Sequence, residues 1–160
     1  MHMVIYWGAV LAALALPCPA AELSGLVVGI SDGDTLTLLD AEKVQHKIRR
    51  SGIDAPGKKQ AFGQTSNAAL LACAFSKRVS IQRNKEDRYR RKVGRVMSAG
   101  TDCSLQQIQS GMAWHYKKYQ GEQPMDERQE YIRAEELAQK KRVGLWSDRS
   151  PLPPWEFRAR

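Results

Sequence analysis

The first third of the chain carries short strands and tight turns, and this pattern limits the fold more than any other feature of the sequence. Between residues 23 and 54, apolar and β-branched residues occur in short runs separated by turn-forming residues. Asp32-Gly33 has the composition of a hairpin turn, and Asp40-Ala41-Glu42 supplies a second turn. We therefore predict an antiparallel meander with strands at residues 26–30, 35–38 and 44–53.

Helical patterns begin only after this meander. Residues 64–74 contain few strand formers and predict a helix, whereas residues 79–81 and 92–98 return to strand patterns. Ser104 and Gln107 have capping-box spacing ahead of a short helix through Gln109 that Gly111 ends, and a final helix is predicted from about 125 to 142, closed by Gly144. Five strands with interspersed helices fit a small barrel better than a doubly wound sheet, which needs regular strand and helix alternation. The predicted fold class is α+β, a five-stranded OB-type β-barrel with about three packed helices.

The first twenty residues contain no Lys, Arg, Asp or Glu, and residues 4–16 form an apolar run. This run is too short for a spanning helix, and Cys18-Pro19-Ala20 places small residues at the two recognition positions before a cut. We predict a signal peptide at 1–20, cleaved after Ala20, and export to the periplasm or the medium. An uncleaved membrane anchor is the alternative.

The remaining chain divides into a domain at 21–149 and a Pro-rich C-terminal tail at 150–160. Prolines at 151, 153 and 154 cannot continue a helix. We expect the tail to lie extended against the domain with Trp155 buried. A peptide ligand for a partner is the alternative reading of this segment.

The charge of the chain points to an anionic partner. It has 25 basic and 17 acidic residues, a formal net charge of +8, and the uncharged leader contributes nothing to it. Such an excess favours nucleic acid, anionic lipid or acidic polysaccharide through counterion release and electrostatic steering. Charge alone does not choose among them.

Two cysteines remain once the leader, with its Cys18, is removed. An even pair in an exported chain predicts a disulfide between Cys73 and Cys103. Two buried free thiols are the alternative.

Acidic residues stand at two strand ends. Asp32 and Asp34 flank a tight turn, and Asp54 ends the third predicted strand. Carboxylates of this kind suit a hard cation such as calcium, but each of them alone is equally typical of a solvated turn. Arg49 and Arg91 favour the interpretation as a functional site, because two guanidinium groups beside a cation would stabilise the negative charge that builds on the oxygens of a phosphodiester.

Five separated motifs occur along the chain: SDGDT at 31–35, IRRSGIDAP at 48–56, DRYRR at 87–91, GMAW at 111–114 and GLWS at 144–147. Several motifs in one order make a match specific. In these motifs the chain resembles staphylococcal nuclease and its thermonuclease relatives, from about residue 26 to residue 146.

The resemblance implies an OB-fold enzyme that hydrolyses DNA and RNA with calcium. It implies that Asp34, Asp54 and the backbone carbonyl of Ala55 bind calcium. Arg49 is then expected to bridge the scissile phosphate, and Arg91 to stabilise the pentacoordinate state and the leaving group.

The same resemblance assigns nucleic-acid contacts. Tyr119 matches a nucleotide-contacting tyrosine of the family, and Lys117 stands where the family has another tyrosine. Arg88 and Arg90 belong to a basic group that is expected either to bind phosphate or to form only a solvated face. The partners expected are DNA and RNA, with no nucleotide cofactor and with the protein acting as a monomer.

Two departures from the family pattern are prominent. The glutamate that positions or deprotonates the attacking water is replaced by Gly57, so general-base assistance of about 10²–10⁴-fold is expected to be lost. Arg90 stands where relatives commonly have glycine. If that backbone has a positive φ, Arg90 is strained by about 1–3 kcal/mol and Arg91 is misdirected.

The sequence therefore supports three hypotheses, in this order. The first is an exported calcium-dependent endonuclease with low sequence specificity, impaired by Gly57. The second is a nucleic-acid-binding OB module that has lost catalysis, and the third is a cell-surface protein that uses its basic face on lipid or a partner. Isolated histidines and the lack of Cys-x-x-Cys or a Gly-rich phosphate loop give no support to zinc or nucleoside triphosphate chemistry.

Overall fold

The computed structural model describes residues 22–160. The predicted signal peptide at 1–20 lies outside the described residues. Within them, no helix has the length and apolar character needed to cross a membrane.

The centre of the fold is a closed five-stranded barrel, as predicted. Its strands run in the order β3-β2-β1-β5-β6, and parallel pairing of β3 with β6 closes it. All other strand pairs in it are antiparallel. The eight strands are β1 (Leu23–Asp32), β2 (Thr35–Leu39), β3 (Gln45–Arg50), β4 (Ile53–Asp54), β5 (Arg78–Glu86), β6 (Lys92–Ser98), β7 (Thr101–Asp102) and β8 (Trp114–His115).

Alternation along the strands fills the barrel. In β2, Leu36 and Leu38 are fully buried, and Ile48 of β3 and Val96 of β6 join them in one apolar cluster. Successive side chains of a strand point to opposite faces, so each strand sends every second residue inward. The short strand patterns of the sequence are therefore sufficient to build this core.

Four α-helices lie around the barrel within residues 22–160, and the caps of α2 and α3 differ from the prediction. They are α1 (Gly63–Ala74), α2 (Cys103–Gln109), α3 (Met125–Lys141) and α4 (Pro154–Phe157). The carboxylate of Asp102 caps α2 by accepting the backbone N–H groups of Ser104 and Leu105, so the predicted Ser104–Gln107 capping box is wrong. Arg142, in a left-handed conformation, ends α3 two residues before the predicted Gly144.

A disulfide joins α1 to α2. Cys73 and Cys103 are bonded, with their Cα atoms 5.9 Å apart. Both cysteines belong to the barrel core cluster, so the bond fixes the two helices against the same apolar surface.

The C-terminal tail is not extended throughout, which corrects the sequence prediction. Pro154 sits in the first turn of α4, where its missing N–H costs no hydrogen bond. Trp155 is only half-buried; its ring lies 5.6 Å from that of Trp114 and 5.4 Å from that of Tyr116. The side-chain amide of Gln60 donates to the Leu152 carbonyl at 2.7 Å and anchors the start of the tail.

Candidate active site

The hairpin between β1 and β2 positions the Asp34 carboxylate. Asp34 is buried, and its Oδ1 accepts a hydrogen bond from the Thr35 hydroxyl at 2.8 Å. Its Oδ2 accepts the backbone N–H of Ala55 at 3.2 Å. The Arg50 backbone N–H donates to the Asp34 carbonyl at 2.9 Å. Side chain and backbone are therefore both fixed.

Gly33 is required in this hairpin by packing and not by a positive φ. A Cβ atom at Gly33 would lie 2.1 Å from the Ser66 hydroxyl of α1. The Gly33 carbonyl accepts hydrogen bonds from the buried side chains of Arg50 and Gln107. The turn that carries Asp34 is thus clamped between α1 and α2.

Asp54 enters the site because the predicted third strand is broken. Residues 44–53 do not form one strand: β3 ends at Arg50, Gly52 turns the chain at φ +74, and β4 pairs separately with β8. In that ladder Asp54 pairs with Trp114. The side chain of Asp54 is fully buried and faces Arg49.

Arg49 bridges the two carboxylates. Its Nη1 lies 2.7 Å from Asp34 Oδ2, and its Nη2 lies 3.5 Å from Asp54 Oδ1. Burial acts to lower the pKa of Arg49, but the two carboxylates outweigh it and raise that pKa above its ordinary value. The guanidinium is therefore permanently charged and held at the centre of the site.

The two carboxylates titrate differently. Burial acts to raise the pKa of Asp34, yet its ion pair with Arg49 and the hydrogen bonds it accepts lower that pKa to about 2. Burial raises the pKa of Asp54, and the negative charge of Asp34 raises it further despite two nearby guanidinium groups. The pKa values of two carboxylates in one site separate in this way because each negative charge disfavours ionisation of the other group.

A second guanidinium, from the C-terminal tail, reaches the same site. Arg158 Nη2 lies 2.6 Å from Asp54 Oδ2, and Nη1 lies 3.3 Å from Asp54 Oδ1. Sequence reasoning missed Arg158, because its contact is to a residue more than a hundred positions earlier and no motif surrounds it. The site thus contains two carboxylates and two guanidinium groups in direct contact.

Arg91 lies across a cleft from this cluster. Arg49 and Arg91 both line one cleft of about 470 Å³, together with Arg88 and Tyr119. Asp87 holds Arg91 in place: its Oδ2 accepts from Arg91 Nε at 2.9 Å, and its Oδ1 accepts the Arg91 backbone N–H at 3.0 Å. Arg49 of β3 and Arg91, just before the neighbouring strand β6, thus bring two guanidinium groups to one cleft.

Arg90 has a positive φ of 60°, the conformation that favours glycine. The strained residue is nevertheless part of a tight turn in which its N–H donates to the Asp87 carbonyl at 2.9 Å. Arg91 still lines the cleft beside Arg49. The backbone of Arg90 therefore has the positive φ on which the predicted strain depends, and Arg91 nevertheless lies at the cleft.

The remaining predicted nucleic-acid contacts divide into two groups. Arg88 and Tyr119 line the cleft, and Tyr119 is 51% exposed. Arg90 and Lys117 are not among the cleft-lining residues, and the Lys117 ammonium lies 2.8 Å from Glu135 Oε2. Arg88 and Tyr119 are thus better placed than Lys117 to meet a ligand in this cleft.

Gly57 follows Asp54 by three residues in the loop that leads to α1. Its carbonyl accepts the Gln60 N–H at 2.9 Å, and a Cβ atom at Gly57 would meet no atom within 4 Å. Its neighbours Lys58 and Lys59 are exposed. The position therefore has room for a side chain, although the sequence places no carboxylate there.

The donors at the site fit a hard divalent cation. Asp34, Asp54 and the adjacent backbone of Ala55 offer only oxygen ligands, the type that calcium prefers. Among residues 22–160, no group of three or more His, Cys, Asp or Glu side chains is arranged to hold a metal. A cation bound here would thus have two carboxylates and complete its shell with backbone carbonyl and water oxygens.

The fold is an OB-type barrel in which two buried carboxylates adjoin a cleft lined by Arg49 and Arg91. The chain belongs to the staphylococcal nuclease family: the family model described as "Staphylococcal nuclease homologue" matches residues 47–148. That match includes Arg49, Asp54 and Arg91, whereas Asp34 precedes it and Arg158 follows it.

Similar proteins occur in several bacteria. An "Uncharacterized endonuclease" of Haemophilus influenzae is 42% identical over 141 residues, which cover 88% of this chain and 76% of the relative. "Protein ParB" of Escherichia coli is 38% identical and covers 94% of this chain and 88% of its own length. A "Micrococcal nuclease" of Shigella flexneri is 35% identical, covering 91% and 86% respectively.

Proposed function

We propose that this protein is a calcium-dependent phosphodiesterase that cleaves DNA and RNA with low sequence specificity, weakened at the water-activation step by Gly57. One observation carries the proposal: Arg49, which bridges the buried carboxylates of Asp34 and Asp54, lines the same cleft as Arg91. Relatives named endonuclease and micrococcal nuclease support nuclease chemistry in general.

Asp34, Asp54 and the Ala55 carbonyl would hold the calcium ion. When bound, the ion supplies Lewis-acid stabilisation of phosphate charge and orients water. Arg49 and Arg91 bind the non-bridging oxygens of the phosphate, where a preorganised guanidinium stabilises the charge that develops in the transition state. The short Asp87–Arg91 contact keeps the Arg91 guanidinium oriented before the substrate arrives.

Low specificity follows from the kind of contact that the cleft offers. Arginines recognise phosphate, which every nucleotide carries, and an exposed tyrosine such as Tyr119 stacks on any base. The net charge of +8 adds attraction that is independent of sequence. We expect affinity for DNA to fall steeply with salt concentration; salt-insensitive binding would instead favour a protein or lipid ligand.

The second candidate function is a nucleic-acid-binding module without catalysis. Gly57 favours it, because no carboxylate stands at the position from which the family's glutamate acts. The two candidates share the cleft and the salt-dependent binding. They differ only in whether the phosphodiester bond is broken.

Digestion of plasmid and single-stranded DNA with calcium or with chelator tests the proposal. Arg91→Ala is compared with Arg149→Ala, which removes the same charge from an exposed position outside the cleft. We expect Arg91→Ala to reduce cleavage by about 10²–10³-fold, in the wild-type and Gly57→Glu backgrounds alike. Equal activity of the two variants, or cleavage unaffected by chelator, would contradict the proposed roles.

Export is part of the proposal. The apolar, uncharged leader and the Cys73–Cys103 disulfide both suit an oxidising compartment. Mass spectrometry of the protein recovered from the periplasm or the medium should show a chain that begins at Ala21. Recovery of the uncleaved chain in the membrane fraction would support an anchor instead.

A further inference from the structure

The C-terminal tail contacts Asp54, one of the two carboxylates that would bind the cation. Both carboxylate oxygens of Asp54 lie against the guanidinium of Arg158, at 2.6 and 3.3 Å. Asp54 has no solvent-exposed side-chain surface. A ligand that approaches Asp54 therefore competes with Arg158 for the same two oxygens.

The charges at the site balance without any further ion. Asp34 and Asp54 supply two negative charges, and Arg49 and Arg158 supply two positive charges in direct contact. A divalent cation added to this cluster would leave an excess of positive charge at short range. Release of one guanidinium lowers this excess from two positive charges to one.

Arg158 is the partner that can leave. Its side chain is 55% exposed, compared with 19% for Arg49, which belongs to β3, a strand paired with both β2 and β6. Arg158 follows the four-residue helix α4 at the end of the chain. The start of the tail is held separately, because the Gln60 side chain donates to the Leu152 carbonyl. The residues that follow α4 can therefore move while the start of the tail stays attached.

We propose that α4 and Arg158 form an autoinhibitory contact in which the Arg158 guanidinium competes with the divalent cation for Asp54. Cation binding releases Arg158, and its freed guanidinium becomes available to the phosphate of a bound nucleic acid. This inference rests on the cation site of the proposed function. It adds that the chain's own tail sets the apparent affinity of that site.

Calorimetric titration with calcium in the absence of nucleic acid tests the competition. Loss of the Arg158 contact is expected to tighten calcium binding about three- to fivefold in Arg158→Ala and in Arg158→Gln, the upper part of the range expected for one partly exposed ion pair. Arg160→Ala is the matched control, because it removes a tail charge that makes no ion pair within the described residues. It should stay within about twofold of wild type.

Tail release has its own signal. Trp155 packs on Trp114 and Tyr116, so calcium should increase acrylamide quenching of its fluorescence in the wild type, with a midpoint equal to the calorimetric dissociation constant. In Arg158→Ala, quenching should already be high without calcium. Trp155→Phe identifies the fluorophore responsible.

The outcomes separate the inference from the proposed function. Calcium binding by wild type and by both Arg158 variants with equal affinity would overturn the competition and leave the nuclease proposal standing. Weaker binding in the variants would show that Arg158 supports the site and would also overturn it. Absence of calcium binding in every variant would defeat the cation site itself, and with it both proposals.

Discussion

Replacing Gly57 with glutamate tests where the water-activating carboxylate has to stand. The structure predicts that the substitution is well tolerated: a Cβ atom there meets nothing within 4 Å, and the backbone is not in the left-handed region. We expect the free energy of unfolding to change by less than about 0.5 kcal/mol, as for other substitutions that disturb no core contact. Any large change in rate would therefore come from chemistry and not from folding.

The expected gain follows from general-base catalysis. A correctly placed carboxylate contributes about 10²–10⁴-fold, which corresponds to a barrier lower by about 3–5 kcal/mol. The proposed cation ligands Asp34 and Asp54 and the proposed phosphate ligands Arg49 and Arg91 are all present, and their contribution is separable from that of the base. We thus predict weak cleavage by the wild type and a gain within this range for Gly57→Glu.

The assay is initial-rate cleavage of supercoiled plasmid in calcium, with Gly57→Gln as the matched control. Glutamine has nearly the same shape as glutamate but cannot accept the proton, so it should remain at the wild-type rate. A folded, calcium-binding Gly57→Glu protein that cleaves no faster than Gly57→Gln would refute the reasoning. Full wild-type activity would also refute it, because the base would then have to lie elsewhere.

Three further predictions concern stability. Arg90→Gly should leave the stability of the protein unchanged or raise it by up to about 1 kcal/mol. Relief of the positive-φ strain is partly offset because glycine gives the unfolded chain more entropy. A loss of more than about 1 kcal/mol in the free energy of unfolding, measured in urea, would argue against strain. In chelator, the ionised Asp34 stabilises the fold by about 2 kcal/mol above pH 4, because its folded pKa of about 2 lies below its unfolded value. This stabilisation is lost as the pH falls toward 2. Asp34→Asn should remove that pH dependence, and an unchanged slope of unfolding free energy against pH between 4 and 2 would contradict the pairing of Asp34 with Arg49. Replacing Cys73 and Cys103 together by serine should cost about 3–4 kcal/mol for a loop of 30 residues, measured by thermal or denaturant unfolding, whereas a loss below 1 kcal/mol would show that the bond adds little to the core.

The barrel could be predicted because its signals are local. The strand at 92–98 matches β6, and α1 begins one residue before the predicted start at 64. Alternation within a strand and the apolar content of a helix are set by neighbours in sequence. The same locality explains the error at β3, where only the pairing of Asp54 with Trp114 reveals that the chain turns at Gly52.

The site could be predicted only in part. The motifs identified Asp34, Arg49, Asp54 and Arg91, and the first three of these are in mutual contact through Arg49. No motif indicated that the Arg158 guanidinium pairs with Asp54, because that contact depends on where the tail packs on the finished domain. Long-range contacts of this kind have no periodicity or spacing in the sequence by which they could be recognised.

The buried support of the site was also missed. Arg50 is almost completely buried and donates to the Gly33 carbonyl and to Gln107, although an arginine beside Arg49 in a basic chain suggests a surface charge. Burial lowers the pKa of Arg50 to about 10. The alternation of β3 offers a signal in retrospect, since Arg50 shares its inward face with the fully buried Ile48.

A crystal structure of the protein with calcium and a short, cleavage-resistant DNA strand measures the shared pocket most directly. We expect anomalous scattering from calcium between the carboxylates of Asp34 and Asp54, with one phosphate in contact with both Arg49 and Arg91. Calcium bound on another face, or a phosphate that meets Arg91 while Arg49 stays paired with Asp34 and no ion is present, would contradict it.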